Sequence, residues 1–242
     1  MARLSAVDLP TGEAKRTTVT AMFDRVAPSY DRLNRLISLG QDARWRQRTI
    51  DCLDLPPGSR VLDLACGTGD LCRGLAQRGH RPIGMDLSAG MLAQSHLDTP
   101  LARADVLQLP VPDHSVDGVT CGFALRNFVD LDAFVRECAR VLRPGGRVAF
   151  LDAAEPSGRL VRLGHGVWFR HAVPMIGGLL GDRAAYRYLP ASTAYLPDGD
   201  ALVELLKNAG LTDVRRQTMM AGAVQLLTGT YARPTASGTD QP

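Results

Sequence analysis

A glycine turn flanked by acidic residues is the part of this sequence whose residue types most clearly suggest ligand chemistry. Asp63 precedes the turn Gly67-Thr68-Gly69, and Asp70 follows it. Glycines lack a Cβ atom, so the backbone of such a turn can approach a ligand closely. Carboxylates beside the turn would repel a phosphate and attract a cationic group. The turn therefore predicts a site for a positively charged ligand.

Two further carboxylates are predicted at the ends of neighbouring strands. Asp86 lies near the end of the strand-like segment 81–88, and Asp105 lies in the segment 101–110. Asp86 could accept hydrogen bonds from both ribose hydroxyls of a nucleoside, and Asp105 could reach an adenine amino group. S-Adenosylmethionine combines such a nucleoside with a sulfonium and an ammonium. The acids at successive strand ends therefore favour S-adenosylmethionine as the cofactor.

A dinucleotide is the competing ligand for a turn of this kind. Dinucleotide-binding turns follow the pattern Gly-x-Gly-x-x-Gly, whose third glycine lets the helix pack close to the strand. Cys72 stands at that third position, and acidic residues flank the turn. An NAD-dependent oxidoreductase is therefore the less favoured alternative. A non-catalytic protein that binds S-adenosylmethionine is another.

These side chains need a sheet whose strand ends meet at one edge. Strand-like and helix-like segments alternate along the chain, which calls for right-handed crossovers. The sequence therefore predicts an α/β fold with a mainly parallel seven-stranded sheet and helices on both faces. Such sheets bind ligands at the carboxyl ends of their strands. The predicted strands are 61–65, 81–88, 101–110 (a strand with its turn), 116–125, 147–152, 212–219 and 223–231.

Two helices in the second half of the chain have recognisable ends. The first can be capped by Asp130 or Asp132, and Arg-Pro-Gly-Gly at 143–146 should end it before the next strand. Asp200 is predicted to cap the second helix, and Gly210 follows its last turn. The apolar stripe of the first helix consists of Phe134, Val135, Cys138, Val141 and Leu142.

Composition narrows the class of protein. The chain has 242 residues, 45% of them hydrophobic, which is enough for one sizeable α/β domain. A net charge of +3 without a Lys/Arg block argues against nucleic acid as a partner. Five cysteines without a Cys-x-x-Cys pair predict no disulfide framework, and no metal site is expected. A cytoplasmic location is expected because neither a secretion signal nor an apolar run of ~18 residues is found.

Several longer motifs are similar to those of a known family. The narrowest are Tyr-Asp-x-x-Asn-x-x-x-Ser-x-Gly at 30–40 and Leu-Arg-Asn at 125–127. Others are VLDLACGTGD at 61–70 and MDLSAGML at 85–92. Over about residues 15–231 the chain resembles the UbiE/MenG family of class I S-adenosylmethionine-dependent methyltransferases. The resemblance implies the Rossmann-like fold of that class and C-methylation of a prenylated quinol, with demethylmenaquinol as the expected substrate of menaquinone biosynthesis.

The resemblance also implies which residues contact the cofactor. It assigns this role to Thr68, Asp86, Asp105 and Val106. Where the family usually has a serine, this chain has Gly122, so one side-chain contact is expected to be missing. The complete set of expected cofactor-binding residues is Asp63, Gly67, Thr68, Gly69, Asp86, Leu87, Asp105, Val106 and Gly122.

Three residues are candidates for catalysis at the substrate ring. Arg126 and Asn127 follow the fourth strand, and Tyr30 belongs to the entry motif. Arg126 cannot be a general base because it stays protonated, so it is expected to stabilise an oxyanion or orient a water. Asn127 would hold that water or the substrate oxygen, and Tyr30 would stand at the mouth of the site. The alternative for Arg126 is a structural ion pair with an acid such as Asp130.

The chain is expected to divide into five parts. They are an N-terminal helical cap at 1–54, a cofactor-binding core at 55–156, a substrate lid at 157–199, a closing unit at 200–232 and a disordered tail at 233–242. Residues 158–181 contain no acidic side chain and mix apolar residues with arginines. This segment could be a lid, a contact with the membrane surface, or both.

Two aspects of the expected function are left open. A soluble aromatic or polyketide-type natural product is the alternative substrate. A homodimer is neither favoured nor excluded.

Overall fold

One seven-stranded sheet organises the protein, seen in a computed structural model that describes residues 10–154, 156, 188 and 192–232. Its strands are β1 (Arg60–Leu64), β2 (Arg81–Asp86), β3 (Leu101–Arg103), β4 (Val116–Gly122), β5 (Leu142–Ala153), β6 (Leu211–Met219) and β7 (Val224–Tyr231). The strand order is β3-β2-β1-β4-β5-β7-β6. Pairing from β3 to β5 is parallel, whereas β7 runs antiparallel to both of its neighbours. This architecture confirms the predicted fold class.

Helices pack on both faces of the sheet. Successive side chains of a strand point to opposite faces, and in the central strands the side chains on both faces are mostly apolar. Leu62 and Leu64 belong to one apolar layer, which also contains Phe134 and Leu202, whereas Val61 belongs to the layer on the other face. The helices of the described ranges are α1 (Gly12–Val26), α2 (Tyr30–Ile37), α3 (Asp42–Leu53), α4 (Asp70–Gln77), α5 (Ala89–Ala93), α6 (Leu131–Val141) and α7 (Gly199–Asn208). Within these ranges, no helix is both long and apolar enough to cross a membrane.

The third and fifth predicted segments differ most from the strands in the structure. The third segment, predicted as a strand with its turn at 101–110, is a strand up to Arg103. The chain then turns at Asp105, whose carboxylate accepts a hydrogen bond from Leu107 N at 3.0 Å. The fifth starts at Leu142 rather than at 147, so Arg-Pro-Gly-Gly lies inside β5. The pairing with β4 shifts there, and Gly145 adopts a φ of +80° that accommodates the irregularity.

The capping predictions are partly confirmed. Asp130 caps α6 by accepting a hydrogen bond from Ala133 N at 2.8 Å, as predicted. The cap of α7 is Asp198, which accepts from Ala201 N at 2.8 Å, so the prediction of Asp200 was wrong. Asp200 lies instead in the first turn, where its charge still favours the positive end of the helix dipole.

Candidate functional site

The glycine turn joins β1 to α4 at the carboxyl edge of the sheet. Gly67 and Gly69 have φ angles of +59° and +89°, which glycine adopts without strain. A Cβ at Gly67 would lie 3.0 Å from Met91 Cε, so a larger residue would fill the space beside the turn. Gly69 N donates to Cys66 O at 2.9 Å and closes the turn. The turn thus leaves its backbone accessible from one side.

Asp86, the last residue of β2, holds the glycine turn in place. Its Oδ2 accepts a hydrogen bond from Gly67 N at 2.8 Å, and its Oδ1 accepts from Ser88 N at 2.8 Å. Burial raises the pKa of this carboxyl, and the backbone hydrogen bonds oppose that shift. Each carboxylate oxygen keeps further acceptor capacity for a hydroxyl group of a ligand.

A cavity opens beside Asp86, and it is larger than the cavity that borders Thr68. Its wall combines the carboxyl edge of the sheet with one face of α1. Most of its other side chains are apolar, which suits a flat aromatic ring or nucleoside base. Its predicted members are Tyr30, Gly67, Asp86, Leu87, Asp105, Val106, Gly122 and Asn127. From α1 it receives Arg16, Val19, Thr20 and Phe23.

Asp105 faces this cavity but already has a cationic partner. Arg16 Nη2 of α1 lies 2.9 Å from Asp105 Oδ2, with both side chains partly exposed. The other oxygen of Asp105 accepts the hydrogen bond from Leu107 N. A ligand that needs this carboxylate would therefore have to share it with Arg16 or displace Arg16.

The smaller cavity lies on the other side of the glycine turn and is mainly polar. Thr68, at its edge, donates a hydrogen bond to Asp31 Oδ1 at 2.6 Å, which ties α2 to the turn. The predicted residues in its lining are Tyr30, Asp63, Gly67, Thr68 and Gly122. Its other lining residues are Arg46, Ala65, Cys66, Asp70 and Leu71.

Asp63 is the most deeply buried acid of the smaller cavity, at 1% exposed. It accepts hydrogen bonds from Thr120 Oγ1 at 2.9 Å and from Cys72 Sγ at 3.4 Å. Burial raises the pKa of Asp63 to about 7, although these hydrogen bonds and the charge of Arg46 pull it down. Asp63 therefore changes charge near neutral pH, where a bound cation would favour the ionised form.

Two of the three catalytic candidates line the cavities. Tyr30 borders both, and burial raises the pKa of its hydroxyl, so the phenol stays protonated. Asn127 borders the larger cavity, and its Oδ1 accepts a hydrogen bond from Tyr188 OH at 3.1 Å. That bond leaves the amide NH₂ of Asn127 to donate.

Arg126 does not line either cavity and is engaged elsewhere. Its guanidinium forms a buried ion pair with Asp152, and its backbone N donates to the same carboxylate at 3.2 Å. Its Nε donates to Ser192 Oγ at 3.2 Å. The ion-pair alternative is therefore present, but its partner is Asp152 at the end of β5, because Asp130 is occupied as the cap of α6.

Gly69 and Gly122, both predicted to bind the cofactor, differ in their position relative to the cavities. Gly69 lines neither cavity and serves the turn, and a Cβ there would lie 2.3 Å from Leu97 Cδ1. Gly122 lines both cavities. A Cβ at Gly122 would lie 2.9 Å from Leu71 Cδ1, so the serine usual in the family would require Leu71 to shift.

Four charged residues at or beside the cavities were missed from the sequence. They are Arg16, Asp31, Arg46 and Asp152. Asp31 lies inside the entry motif and Asp152 at a strand end, so position could have indicated both. Arg16 and Arg46 lie among other charged residues on α1 and α3, and their spacing carries no signal that separates them from solvent-exposed neighbours.

The sequence of this chain is similar to those of known methyltransferases. The model of the ubiE/COQ5 methyltransferase family matches residues 11–231. A demethylmenaquinone methyltransferase of Thermus thermophilus is 39% identical over 218 residues, covering 86% of this chain and 99% of that protein. The ubiquinone/menaquinone biosynthesis C-methyltransferase UbiE of Geobacter sulfurreducens is 35% identical over 227 residues, covering 89% of each chain.

Solved structures share the fold at low sequence identity. A chain of the Haloferax volcanii complex between the Trm112 methyltransferase activator and a methyltransferase has a TM-score of 0.63 at 18% identity. A SAM-dependent methyltransferase of Thermotoga maritima has a TM-score of 0.62 at 18% identity. Both matches cover 87% of this chain and 98% of the other.

Proposed function

The chain belongs to the ubiE/COQ5 methyltransferase family, and from that premise we propose that it C-methylates demethylmenaquinol with S-adenosylmethionine as the methyl donor. The observation that carries the proposal is a pair of cavities that share lining residues at the glycine turn. Both are lined by Tyr30, Ala65, Gly67 and Gly122, so one elongated ligand can occupy both. Because the chain belongs to a methyltransferase family, the alternative function of an NAD-dependent oxidoreductase is excluded.

The residues present suit this cofactor. We assign the nucleoside to the larger cavity, where Asp86 would accept from the ribose hydroxyls and Leu87 and Val106 would pack on the adenine. We assign the amino-acid end to the smaller cavity, beside Thr68 and Asp63. When bound, S-adenosylmethionine supplies an electrophilic methyl group.

The chain's own residues would orient and activate the quinol. A ring carbon becomes a good nucleophile when the neighbouring hydroxyl loses its proton, so the site must stabilise the resulting oxyanion. The amide NH₂ of Asn127 can donate to that oxygen, because Tyr188 already occupies Oδ1. Tyr30, which is protonated, lies next to Gly67 and lines the same cavity, so it can donate to that oxygen as well. Arg126, paired with Asp152, would act by holding the neighbouring Asn127 in position.

We propose that three segments of the chain have distinct roles. Residues 1–54 form the cap over the site, 55–156 bind the cofactor, and 200–232 close the sheet. Support comes from α1 and α2, which contribute to the cavity walls together with residues of the core. The predicted lid at 157–199 lies mostly outside the described residues, and the predicted tail at 233–242 lies wholly outside them.

The test is transfer of a labelled methyl group. The protein is incubated with S-adenosylmethionine labelled in the methyl group and a demethylmenaquinol analogue. We expect label on the quinol ring. The same ring without its prenyl tail serves as the matched control, and equal rates with both would favour a soluble aromatic substrate. Tight cofactor binding without any transfer would favour a non-catalytic protein.

A contact with the membrane surface belongs to the same proposal, because a prenylated substrate resides in lipid. The segment predicted for it, 158–181, lies outside the described residues. Sedimentation of the full chain with anionic vesicles tests the contact. We expect co-sedimentation that salt weakens, since arginines would face the headgroups.

A further inference from the structure

Arg46 is the one lining residue of the smaller cavity with a cationic side chain among the described residues. It comes from α3, and its side chain is 12% exposed. Its Nη1 lies 2.7 Å from Asp42 Oδ2 and 3.5 Å from Asp70 Oδ2. An arginine that is largely buried beside a cavity can bind an anionic group there.

The helix and its neighbours hold this guanidinium in place. Asp42 precedes Arg46 by one helical turn and is itself fixed by a hydrogen bond from Ser38 Oγ at 2.9 Å. The guanidinium carbon lies 5.9 Å from the centre of the Phe123 ring. Its contacts with protein use Nη1, which leaves Nη2 and Nε without a hydrogen-bond partner in the described parts of the chain. These donors are available to a ligand.

The charges around the cavity match those of an α-amino acid. Asp63 and Asp70 suit the ammonium group, but carboxylates alone would repel the carboxylate that every α-amino acid carries. Arg46 supplies the missing positive charge on the same wall. Its planar donor pair also fits the two oxygens of a carboxylate better than a point charge would.

We propose that Arg46 binds the α-carboxylate of the methyl donor, while Asp63 and Asp70 face its ammonium. This inference rests on the proposed function, because it takes S-adenosylmethionine as the ligand of the two cavities. It makes Arg46 a determinant of cofactor specificity. Adenosyl compounds that lack the carboxylate should gain nothing from this residue.

The experiment compares three ligands that differ only at the amino-acid end. Dissociation constants are measured by calorimetry for three thioethers: S-adenosylhomocysteine, decarboxylated S-adenosylhomocysteine and 5′-methylthioadenosine. In Arg46→Gln we expect S-adenosylhomocysteine to bind on the order of 10- to 100-fold more weakly, the range for a lost charged hydrogen bond. The other two ligands should change by less than about twofold, since they lack the carboxylate.

Two further variants control for structure and charge. Arg44→Gln removes an exposed arginine from the same helix and should leave all three constants unchanged. Arg46→Lys keeps the charge but loses the planar donor pair, so an intermediate loss for S-adenosylhomocysteine is expected. It also supplies the test should Arg46→Gln not fold.

The outcomes separate the inference from the function on which it rests. Equal weakening of all three ligands by the Arg46 variants, or no weakening of any, would overturn the role of Arg46 alone. Failure of the parent protein to bind any adenosyl compound would overturn the proposed function, and the inference with it. Selective loss of S-adenosylhomocysteine supports both.

Discussion

At the scale of single residues, each carboxylate around the cavities is held by different donors, and this decides how it can serve a ligand. Asp86 accepts from two backbone N–H groups, so its orientation is fixed before a ligand arrives. Asp105 is paired with a partly exposed arginine, Arg16. Asp63 is buried and titrates near neutral pH. The differences at Asp86 and Asp63 each lead to a prediction.

Replacing Asp86 should affect the cofactor more than any other single change at the cavities. Asp86→Ala removes the acceptor for the ribose hydroxyls and also the anchor of Gly67 N. We expect binding of S-adenosylhomocysteine to weaken by at least about 100-fold, the lower limit for two charged hydrogen bonds. Calorimetry measures this, with the exposed Asp98→Ala as the control. An unchanged dissociation constant would refute the role given to Asp86.

Binding of S-adenosylhomocysteine should depend on pH through Asp63. Its pKa of about 7 should fall when an ammonium binds, so affinity is highest above that pKa and declines below it. We expect binding about tenfold weaker at pH 6 than at pH 8, following the ionised fraction of this carboxyl. The charged or titratable groups around it are Arg46, Cys72 and Asp86.

Asp63→Asn separates this effect from other titrations. Burial also raises the pKa of Asp86, so that carboxyl could contribute to the same profile. The Asn variant should bind more weakly at pH 8 and show a nearly flat profile from pH 6 to pH 8. A profile as steep as that of the parent would assign the titration to Asp86 instead.

The buried pair of Arg126 and Asp152 should contribute to both stability and turnover. Arg126→Ala would leave Asp152, which is fully buried, without its cationic partner. We expect the free energy of unfolding to fall by about 3–5 kcal/mol, as for broken buried ion pairs. Cofactor affinity should change little, because Arg126 lines neither cavity, whereas turnover should fall.

A double variant distinguishes the two contributions. Arg126→Ala combined with Asp152→Ala removes both charges, so part of the lost stability should return in denaturant unfolding. Methyl transfer should stay low, because Asn127 would still lack its positioning neighbour. Recovery of transfer together with stability would reduce Arg126 to a structural role.

At the scale of elements, the short helix α5 anchors the wall formed by α1. Asp24 of α1 accepts hydrogen bonds from Ser88 Oγ at 2.5 Å and from Gly90 N at 2.9 Å. A second anchor is Lys15, whose Nζ donates to Phe128 O at 2.7 Å and lies 3.6 Å from the centre of the Tyr195 ring. The larger cavity depends on these contacts, because it loses one wall when α1 moves away.

Gly90→Ala tests the contact between α1 and α5. A Cβ at Gly90 would lie 2.9 Å from Asp24 Cα and 3.0 Å from Asp24 O, and backbone atoms cannot yield without moving the helix. We expect faster amide exchange in α1 and weaker binding of S-adenosylhomocysteine. Alanine is the better helix former by about 1 kcal/mol, so α5 itself should not be weakened. Unchanged exchange in α1 would show that the contact does not hold the wall.

At the scale of the whole molecule, the ligand is expected to connect parts of the chain that are far apart in sequence. The cavities receive side chains from α1, α2 and α3 on one side and from the ends of β1, β2 and β4 on the other. A bound ligand would therefore stabilise the packing of the N-terminal helices on the sheet. It would raise the stability of the folded state by mass action.

Thermal and denaturant unfolding measure this coupling. S-Adenosylhomocysteine at 100 times its dissociation constant should raise the free energy of unfolding by about 2.7 kcal/mol. NAD at the same concentration should have no effect, because carboxylates on both sides of the glycine turn disfavour a diphosphate. Stabilisation by NAD instead would overturn the choice of ligand.

The fold and the central part of the site were determined by the sequence itself, because both follow from local pattern. Alternating strand and helix segments require a parallel sheet, and a parallel sheet brings its strand ends to one edge. The glycine turn and Asp86 could therefore be placed without coordinates. The bounds of β5 could not, since Arg-Pro-Gly-Gly breaks a helix locally but is accommodated in the sheet by pairing with β4.

Tertiary structure alone decided which charges meet. The pairing of Arg126 with Asp152 joins residues 26 positions apart, and the position of Arg46 beside Asp63 depends on how α3 packs against the sheet. Likewise, the pKa of Asp63 near neutrality results from burial. Long-range packing determines distance and dielectric environment, and electrostatic interaction depends on both. A pattern of residue types along the chain contains neither quantity.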